Sequence, residues 1–450
     1  MNARNFDVVI LGGGNAGMGV TIPTREAGLS VAMIESWDLG GTCPNRGCTP
    51  KKVLVAAAHA LQEIGLAAVH HISVDKPRLD WPALIEREKA MIRDIPERLG
   101  KLMANRGAQV IKGNGRFSEP NRIQIGDETI EARHIVIATG SKTRPLSVPG
   151  SELMVTSDDV LSDQQRRSDI VFVGGGIIAF EFAHVYARAG VKVTILEIAP
   201  RLLANFESDA VDQIRAESER LGIVVLTNVT IKRIDRFKNR FRVDYQEGKS
   251  DASIETEWVV NGAGRMANID QLDLKAGSVA HDGGRIALDE YLRSTSNHAV
   301  YVCGDAVWSS PQLSPIATYE GQIVGRNIVD GPRHKPEYSG IPSCLYTVPA
   351  LASVGLTEES AKQKGLKVRV KISDISGWLS AKTYAEHLAW AKVVIDVASD
   401  QIVGAHLVGH AGEEIIHLFA FAMKHGITAS QMRDTVYSFP TFSSDVKNML

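Results

Sequence analysis

The chain has 450 residues, of which 44% are hydrophobic and 23% charged, and its formal net charge is −2. These values indicate two to four globular domains with large apolar cores, and they exclude a polyanion such as nucleic acid as an evident partner. No apolar run reaches the length needed to cross a membrane, and a strand predicted at 6–11 leaves no room for a signal peptide, so we expect a cytoplasmic protein.

The chain opens with a pattern typical of nucleotide binding. A β-branched strand at 6–11 leads into a G-x-G-x-x-G turn, a helix to about residue 28, and a strand at 29–34 followed by Glu35. Glycines let the backbone approach a pyrophosphate, the helix N-terminus stabilises its charge, and the acid accepts hydrogen bonds from a ribose. The pattern favours a dinucleotide site over an ordinary glycine turn. The predicted turn contacts are Gly12, Gly14, Asn15, Ala16 and Gly17.

Two of the four cysteines, Cys43 and Cys48, lie in the stretch GGTCPNRGCTPKK at 40–52. A structural disulfide would close too small a loop to stabilise much, and zinc would need a second Cys/His pair at ligand spacing. A reversible redox disulfide is therefore the preferred interpretation. The alanine-rich run at 53–61 predicts a helix with Cys48 near its start, where the helix dipole would favour a thiolate on Cys48.

The nucleotide-binding pattern occurs a second time. A charged helix at 82–105, which Pro96 should kink or break, and a strand at 134–137 ending in ATGS precede the repeat. The strand at 169–173 then leads into a glycine turn, a helix at 180–188 and a strand that ends at Glu197. The spacing from first glycine to acid is 23 positions in both copies. Two such units imply two nucleotides that exchange electrons, namely a flavin and a nicotinamide.

The last part of the chain changes in composition. Strands at 257–260 and 300–303 end in polar turns, and a linker at 331–340 follows. Alternating runs at 391–395 and 402–408, with helices at 413–425 and 429–435, then predict an antiparallel sheet packed with helices. This segment should form a separate α+β domain.

Together these motifs resemble the pyridine nucleotide-disulfide oxidoreductases, a family that includes glutathione reductase, dihydrolipoyl dehydrogenase and mercuric reductase. The resemblance covers nearly the whole chain, and the cysteine stretch is its most specific part. It implies an α/β fold with two Rossmann-like FAD- and NAD(P)-binding domains and a C-terminal α+β dimerisation domain. The implied boundaries are 1–146 and 266–337 for the two parts of the FAD-binding and central domain, 147–265 for the NAD(P)-binding domain, and 338–450 for the dimerisation domain.

The resemblance also implies roles for particular residues. Cys48 would lie against the flavin and Cys43 would meet the substrate, while Lys51 and Glu181 would pair near the flavin. Asp305 would bind the ribityl chain. The alternatives are a surface lysine, a glutamate at a helix start and a helix-capping aspartate. The other implied cofactor contacts are Gly41, Thr42, Lys52, Thr139, Gly140, Gly174, Gly176, Glu197, Gly264 and Ala317.

In the mechanism that the resemblance implies, electrons pass from the nicotinamide through FAD to the cysteine pair, and the Cys43 thiolate attacks the substrate. The nicotinamide could be NADH or NADPH. Glu197 would bind the ribose hydroxyls of NAD and repel the 2′-phosphate of NADP, so NADH is favoured. A single later arginine, Arg201, keeps NADPH open.

The C-terminus departs from the family pattern. Most disulfide-reducing members end in H-x-H-P-T-x-x-E, whereas this chain has Phe439 at the second histidine position and Ser444 at the glutamate position. Phenylalanine cannot transfer a proton, so the usual general acid is missing. Tyr437, a water or another histidine could replace it, or the acceptor could need no acid, as with a metal ion. Electrons could also pass to quinones, dyes or oxygen.

These observations predict an FAD-dependent NAD(P)H oxidoreductase that acts as a homodimer on a small, disulfide-type electron acceptor. The alternatives are a mercuric, metal-ion or quinone reductase, or a redox sensor with little turnover. Glutathione disulfide is disfavoured because Ile22 takes the place of an arginine that binds the substrate carboxylate in glutathione reductases. Cys303 and Cys344 should be buried, and we expect no metal ligands, with His410 and His417 as loop and helix residues.

Overall fold

The computed structural model describes residues 4–450. Its strands are β1 Arg4–Leu11, β2 Val31–Glu35, β3 Gln109–Lys112, β4 Gly115–Glu119, β5 Arg122–Ile125, β6 Glu128–Ile137, β7 Ser141–Thr143, β8 Asp169–Val173, β9 Lys192–Leu196, β10 Val224–Leu226, β11 Val229–Phe237, β12 Arg240–Glu247, β13 Ser250–Thr256, β14 Trp258–Asn261, β15 Arg265–Ala267, β16 Val300–Val302, β17 Ser343–Leu345, β18 Ala350–Gly355, β19 Val368–Asp374, β20 Trp390–Asp396 and β21 Ile402–Gly409. Its α-helices are α1 Asn15–Glu26, α2 Thr42–Arg46, α3 Cys48–Leu66, α4 Trp81–Ile92, α5 Ile95–Asn105, α6 Ser157–Ser162, α7 Ile177–Arg188, α8 Ser208–Arg220, α9 Ser314–Asp330, α10 Glu358–Gln363, α11 Leu379–Thr383, α12 Gly412–His425, α13 Ala429–Asp434 and α14 Val446–Met449.

The described chain forms two compact units, each built from three separate segments. The first unit takes the chain up to Lys51, then Glu86–Arg144 and Gly264–Glu337. The second unit takes Lys52–Ile85, Pro145–Ala263 and Tyr338–Leu450. The four domain boundaries given above stay a prediction.

The first unit is organised around a mostly parallel sheet. Its strands run in the order β3-β2-β1-β6-β5-β4, with β16 paired to β6. Val8, Val9 and Ile10 of β1 have no exposed surface, as expected for an apolar strand covered on both faces. Helices α1 and α9 pack so closely that a Cβ built at Gly321 would lie 2.1 Å from the carbonyl oxygen of Ala16.

The second unit contains three sheets. The order β10-β9-β8-β14 is a parallel sheet that matches the second predicted repeat. An antiparallel sheet, β17-β18-β21-β20-β19, packs against α12 and confirms the α+β architecture of the last segment. The antiparallel sheet β11-β12-β13 was not predicted.

The two repeats are confirmed within three residues at each end of their elements. The predicted helix at 82–105 is instead two helices, α4 and α5, and Pro96 lies at the start of the second. Proline fits the first turn of a helix because its missing N–H has no partner there, so the break precedes Pro96. Strand β6 is also longer than predicted, since it extends back to Glu128.

One apolar segment differs from the sequence expectation. The helical stretch Thr42–His70 has a mean hydropathy of 1.4 over its best window and is long and apolar enough to cross a membrane by length and composition alone. The earlier expectation that no apolar run is that long is therefore wrong. A single segment of this kind is weak evidence, because core helices of other proteins have the same composition.

The α1–α9 contact can be tested with a matched pair of helical glycines. We expect Gly321→Ala to lower the free energy of unfolding by about 1–3 kcal/mol, because its Cβ would meet the Ala16 backbone. In Gly100→Ala the new Cβ would lie 3.6 Å from Leu39, an ordinary contact. That variant should raise stability by up to about 1 kcal/mol. Urea unfolding curves measure both, and equal effects would contradict the packing described here.

Candidate active site

The first nucleotide turn is fixed by Glu35 at the end of β2. Its Oε2 accepts a hydrogen bond of 2.7 Å from the backbone N–H of Gly13, and its Oε1 accepts one of 2.6 Å from Trp37. The side chain is 9% exposed. Each carboxylate oxygen has a further lone pair, so Glu35 can hold the turn and still accept a ribose hydroxyl.

The glycines of this turn serve two different purposes. Gly12 has φ +109°, and a Cβ there would lie 2.3 Å from the carbonyl oxygen of Ala138, so the fold itself requires glycine. A Cβ at Gly14 would meet no described atom within 3.7 Å, so protein packing does not explain that glycine. The open space suits a close approach of a pyrophosphate to the backbone.

Thr139 provides an independent indication of a ligand. Its Oγ1 is buried, and within residues 4–450 it has no hydrogen-bond partner. It follows Ala138, the residue that packs on the first glycine of the turn. A buried hydroxyl without a partner is rare in native proteins, so this turn and its surroundings fit a polar cofactor such as FAD.

Asp305 lies in a short turn directly after β16. Its Oδ2 accepts a hydrogen bond of 2.9 Å from Ser141, whose hydroxyl oxygen in turn accepts one of 2.9 Å from Nε of Arg265. Burial raises the pKa of the Asp305 carboxyl, while Ser141 and Arg265 oppose that change. The hydrogen bond described for the Asp305 carboxylate comes from Ser141 and not from a backbone N–H of a helix. The alternative that Asp305 caps a helix therefore has no support.

The second nucleotide turn repeats the first one atom for atom. Oε2 of Glu197 accepts from the N–H of Gly175 at 2.5 Å, and Oε1 accepts from Ala199 at 2.7 Å. Gly174 has φ +108°, and its Cβ would lie 2.4 Å from a backbone oxygen, whereas the nearest atom to a Cβ at Gly176 is 3.7 Å away. The same open cradle therefore occurs at the end of β8, where a nicotinamide dinucleotide fits.

Some of the remaining predicted cofactor contacts of the first unit lie near the first turn. A Cβ at Gly41 would be 2.9 Å from the Cα of Gly14, and Thr42 then begins α2. Ala16 and Ala317 both flank Gly304, next to Asp305. Gly140 and Gly264 both have positive φ. Their contacts with a cofactor stay a prediction.

Lys51 and Glu181 belong to different units, and their pairing stays a prediction. Glu181 is 5% exposed, and its Oε1 accepts a 2.8 Å hydrogen bond from the N–H of Tyr346. Lys52, which we expected to contact the cofactor, has its Nζ 4.0 Å from the centroid of the Tyr346 ring and 3.6 Å from Oε1 of Glu413. The structure therefore gives Lys52 partners in the second unit.

The two cysteines are free thiols, and a hydrogen bond between them changes the pKa of both. Cys43 lies in α2, and Cys48 is the first residue of α3. The hydrogen bond from Cys48 lowers the pKa of the Cys43 thiol to about 6, with help from Ser314 and Asn15 and against the effect of burial. The same hydrogen bond, with burial, raises the pKa of Cys48, and Lys51 only partly opposes this. The hydrogen bond between the two sulfurs thus acts against the helix dipole at Cys48, and the expected thiolate on Cys48 stays a prediction.

Polar side chains near the C-terminus form hydrogen bonds with other residues of the second unit. Phe439 is 71% exposed, and Ser444 donates its hydroxyl hydrogen to the carbonyl of Thr441 at 2.6 Å. Asp445, one position beyond the expected glutamate, is buried and accepts a hydrogen bond from Ser380. The Tyr437 hydroxyl donates to the carbonyl of Met432 at 3.1 Å. Tyr437, which the sequence analysis named as a possible substitute for the missing acid, thus already has a partner, and so does Asp445.

Several residues of the site were missed by sequence reasoning. They are Ser141, Arg265, Ser314 and Tyr346. Ser141 is the last residue of the ATGS turn and Arg265 directly follows Gly264, so their position was the available signal. Ser314 and Tyr346 gave no such signal. Cys303 is fully buried as expected, but Cys344 is partly exposed, which corrects the second expectation because β17 is a sheet-edge strand.

Paired nucleotide turns and an adjacent cysteine pair define a flavin- and nicotinamide-dependent disulfide oxidoreductase. The family model described as pyridine nucleotide-disulphide oxidoreductase matches residues 6–321, and the dimerisation domain of the same family matches residues 341–450. The chain belongs to the pyridine nucleotide-disulphide oxidoreductase family. It is therefore an FAD-dependent oxidoreductase that uses NAD(P)H, and it carries the family's dimerisation domain.

Similar proteins match this chain over nearly its whole length. The dihydrolipoyl dehydrogenase of Chlamydia pneumoniae is 30% identical over 445 residues, which cover 98% of this chain and 95% of the relative. The glutathione reductase of Burkholderia cepacia is 30% identical over 446 residues, covering 99% and 98%. A solved structure, the Cu(II) complex of the HOCl-induced flavoprotein disulfide reductase RclA from Escherichia coli, matches with a TM-score of 0.89 at 25% identity, over 100% of this chain and 99% of that one.

The asymmetry of the cysteine pair predicts which thiol reacts first. In the reduced enzyme, alkylation of Cys43 by iodoacetamide should rise with pH around a midpoint of about 6, because the thiolate is the reacting form. Cys48 should remain unmodified through neutral pH. Cys48→Ser replaces the sulfur whose hydrogen bond lowers the Cys43 pKa most, so it should move the midpoint upward. Mass spectrometry of quenched samples identifies the alkylated residue, and a first label on Cys48 would contradict this assignment.

Proposed function

We propose that this protein uses NADH to reduce a small acceptor with a sulfur group, most simply a disulfide, and that it acts as a homodimer in the cytoplasm. The observation that carries this proposal is the position of the thiol pair, since Cys43 forms hydrogen bonds with both Cys48 and Asn15, the residue at which α1 begins after the first nucleotide turn. FAD held in the first cradle would supply the two-electron exchange between the nicotinamide and the cysteines.

The thiol pair can complete a reduction with its own atoms. The Cys43 thiolate attacks one sulfur of the acceptor disulfide, forming a mixed disulfide and releasing a thiolate. The Cys48 thiol gives its proton to that leaving group, and the Cys48 thiolate then attacks the sulfur of Cys43. The Cys43–Cys48 disulfide closes, the second acceptor thiolate leaves, and two electrons have passed to the acceptor. This series of reaction steps needs no proton from residue 439.

The second cradle supports a preference for NADH. Both oxygens of Glu197 are fixed by backbone N–H groups, so a carboxylate is held at the edge of the cradle, where it would repel a 2′-phosphate. Arg201, the residue that kept NADPH open, donates from Nη2 to the carbonyl of Phe206 at 2.8 Å. Its Nη1 lies 3.6 Å from Glu359. The Arg201 guanidinium therefore already has partners within the protein.

Reduction of a metal ion is the second candidate. Phe439 leaves the site without the usual acid, and a metal ion that accepts electrons releases no thiolate that needs a proton. The RclA structure is described as a Cu(II) complex, which makes copper a sensible first ion to test. A quinone acceptor and a redox sensor with little turnover remain further outcomes of the same assays.

Nicotinamide preference is measured by the steady-state ratio of kcat/KM for NADH and NADPH. We expect the ratio to favour NADH by about tenfold or more, as one charge repulsion near a protein surface would produce. Glu197→Ala should lower this ratio, whereas Arg201→Ala should leave it unchanged. A selective loss of NADPH use in Arg201→Ala would instead show that the arginine binds a 2′-phosphate.

The Cys43→Ser variant distinguishes reduction of disulfide acceptors from electron transfer to other acceptors. This variant should lose reduction of disulfide acceptors by at least a hundredfold while its flavin is still bleached by NADH and passes electrons to dyes. Cys344→Ser, which alters a cysteine outside the pair, serves as the matched control and should keep both activities. Retention of disulfide reduction in Cys43→Ser would place the cysteines off the electron path.

A further inference from the structure

A cluster of one histidine and two glutamates lies in the second unit and shares no residue with the nucleotide turns or the cysteine pair. Glu63 is on α3, Glu386 follows α11, and His410 lies between β21 and α12. One ligand atom from each residue lies within 4.8 Å of the other two. Nδ1 of His410 is 3.2 Å from Oε1 of Glu386.

The side chain of Glu386 is buried and has a single described partner. It is only 8% exposed. Across residues 4–450, His410 is the sole described partner of its carboxylate, and no lysine or arginine pairs with it. A buried carboxylate is expensive unless a cation or several hydrogen bonds compensate it, so a cation at this position would be stabilised.

The imidazole of His410 is held in a fixed orientation. The rings of Tyr384 and Phe442 stack on it, with centroids 5.3 and 4.8 Å away and interplanar angles of 23° in both cases. Such support orders a ligand before the metal arrives, which lowers the entropic cost of binding.

The charges that face His410 are mainly acidic. Hydrogen bonding to Glu386 raises the pKa of His410, and the charges of Glu386, Glu63 and Glu413 add to this against the effect of burial. Lys52 lies 3.6 Å from Glu413 and offsets part of that charge. His59, one helical turn before Glu63 on α3, lies on the same helix face, and burial is the main cause that lowers its pKa.

We propose that Glu63, Glu386 and His410 form a binding site for a divalent first-row metal ion, for which Zn²⁺ is the test ion. Imidazole and carboxylate are ordinary Zn²⁺ ligands, and at bond lengths of about 2.0–2.1 Å neighbouring tetrahedral ligands lie about 3.3 Å apart. The 3.2 Å separation of His410 and Glu386 matches this spacing. Glu63 is exposed and reaches the ion by a rotamer change, and water or His59 completes the coordination.

The site would link α3, whose first residue is Cys48, to two segments of the dimerisation domain. The metal ion takes the place of the proton on His410, so no oxidation or group transfer is involved. Because the ion would bind the folded chain and not an unfolded one with separated ligands, Zn²⁺ should raise the unfolding temperature.

The test uses the flavin-loaded, full-length enzyme with its cysteine pair oxidised, so that thiolates cannot bind the metal. Isothermal titration with Zn²⁺ should give one site per chain, and His410→Ala and Glu386→Gln should each weaken it at least tenfold. Glu63→Gln changes an exposed side chain and keeps the test valid if a buried variant fails to fold. His417→Ala and Glu414→Gln, exposed residues of α12, are the matched controls and should bind Zn²⁺ normally.

Cobalt gives a second measurement that identifies the ligand type. Co²⁺ in this site should show visible d–d bands without the near-ultraviolet thiolate band, and Zn²⁺ should displace it. Absence of a saturable site, unchanged affinity in both His410→Ala and Glu63→Gln, or a thiolate band would each overturn the proposal. In any of those cases His410 and Glu386 form only an ion pair supported by two aromatic rings.

Discussion

Both nucleotide cradles depend on one interaction: a carboxylate at the end of the second strand that accepts a backbone hydrogen bond from the middle of the glycine turn. Glu35 does this for Gly13 and Glu197 for Gly175, and donor and acceptor are 22 positions apart in both cases. The bond ties the turn to the neighbouring strand, so the open space beside Gly14 and Gly176 is held in shape by the protein. A charged acceptor makes this bond stronger than a neutral one would be.

Much of the architecture could be predicted from the sequence, because the repeats combine apolar strands, glycine turns and acids at equal spacing. The sheet β11-β12-β13 could not, because its strands are rich in charged residues and pair mainly with each other. The polarity of the cysteine pair was also beyond local reasoning. Helix position favours a thiolate on Cys48, whereas the hydrogen bond with Cys43 raises the pKa of Cys48. The metal-ligand cluster was hidden as well, since Glu63, Glu386 and His410 are distant in sequence.

The source of the proton for the leaving thiol relates the properties of the cysteine pair to those of the C-terminal segment. Most family members take the proton for the leaving thiol from a histidine, whereas this chain has an exposed phenylalanine at that position. A pair in which Cys48 retains its proton beside the Cys43 thiolate already contains both the nucleophile and the acid. Loss of the histidine therefore limits the choice of acceptor more than it limits the reduction of the pair itself.

The three-segment composition of the first unit has a consequence for biosynthesis. Strand β16 pairs with β6, yet the whole second repeat is translated between them. At ribosomal speeds of about 5–20 residues per second, that interval lasts roughly 10–30 s. During this time the edge of β6 that later accepts β16 has no partner, while the parallel sheet of the inserted segment can already close. Nascent chains are therefore expected to need chaperone protection at that strand edge until residue 302 has left the ribosomal tunnel.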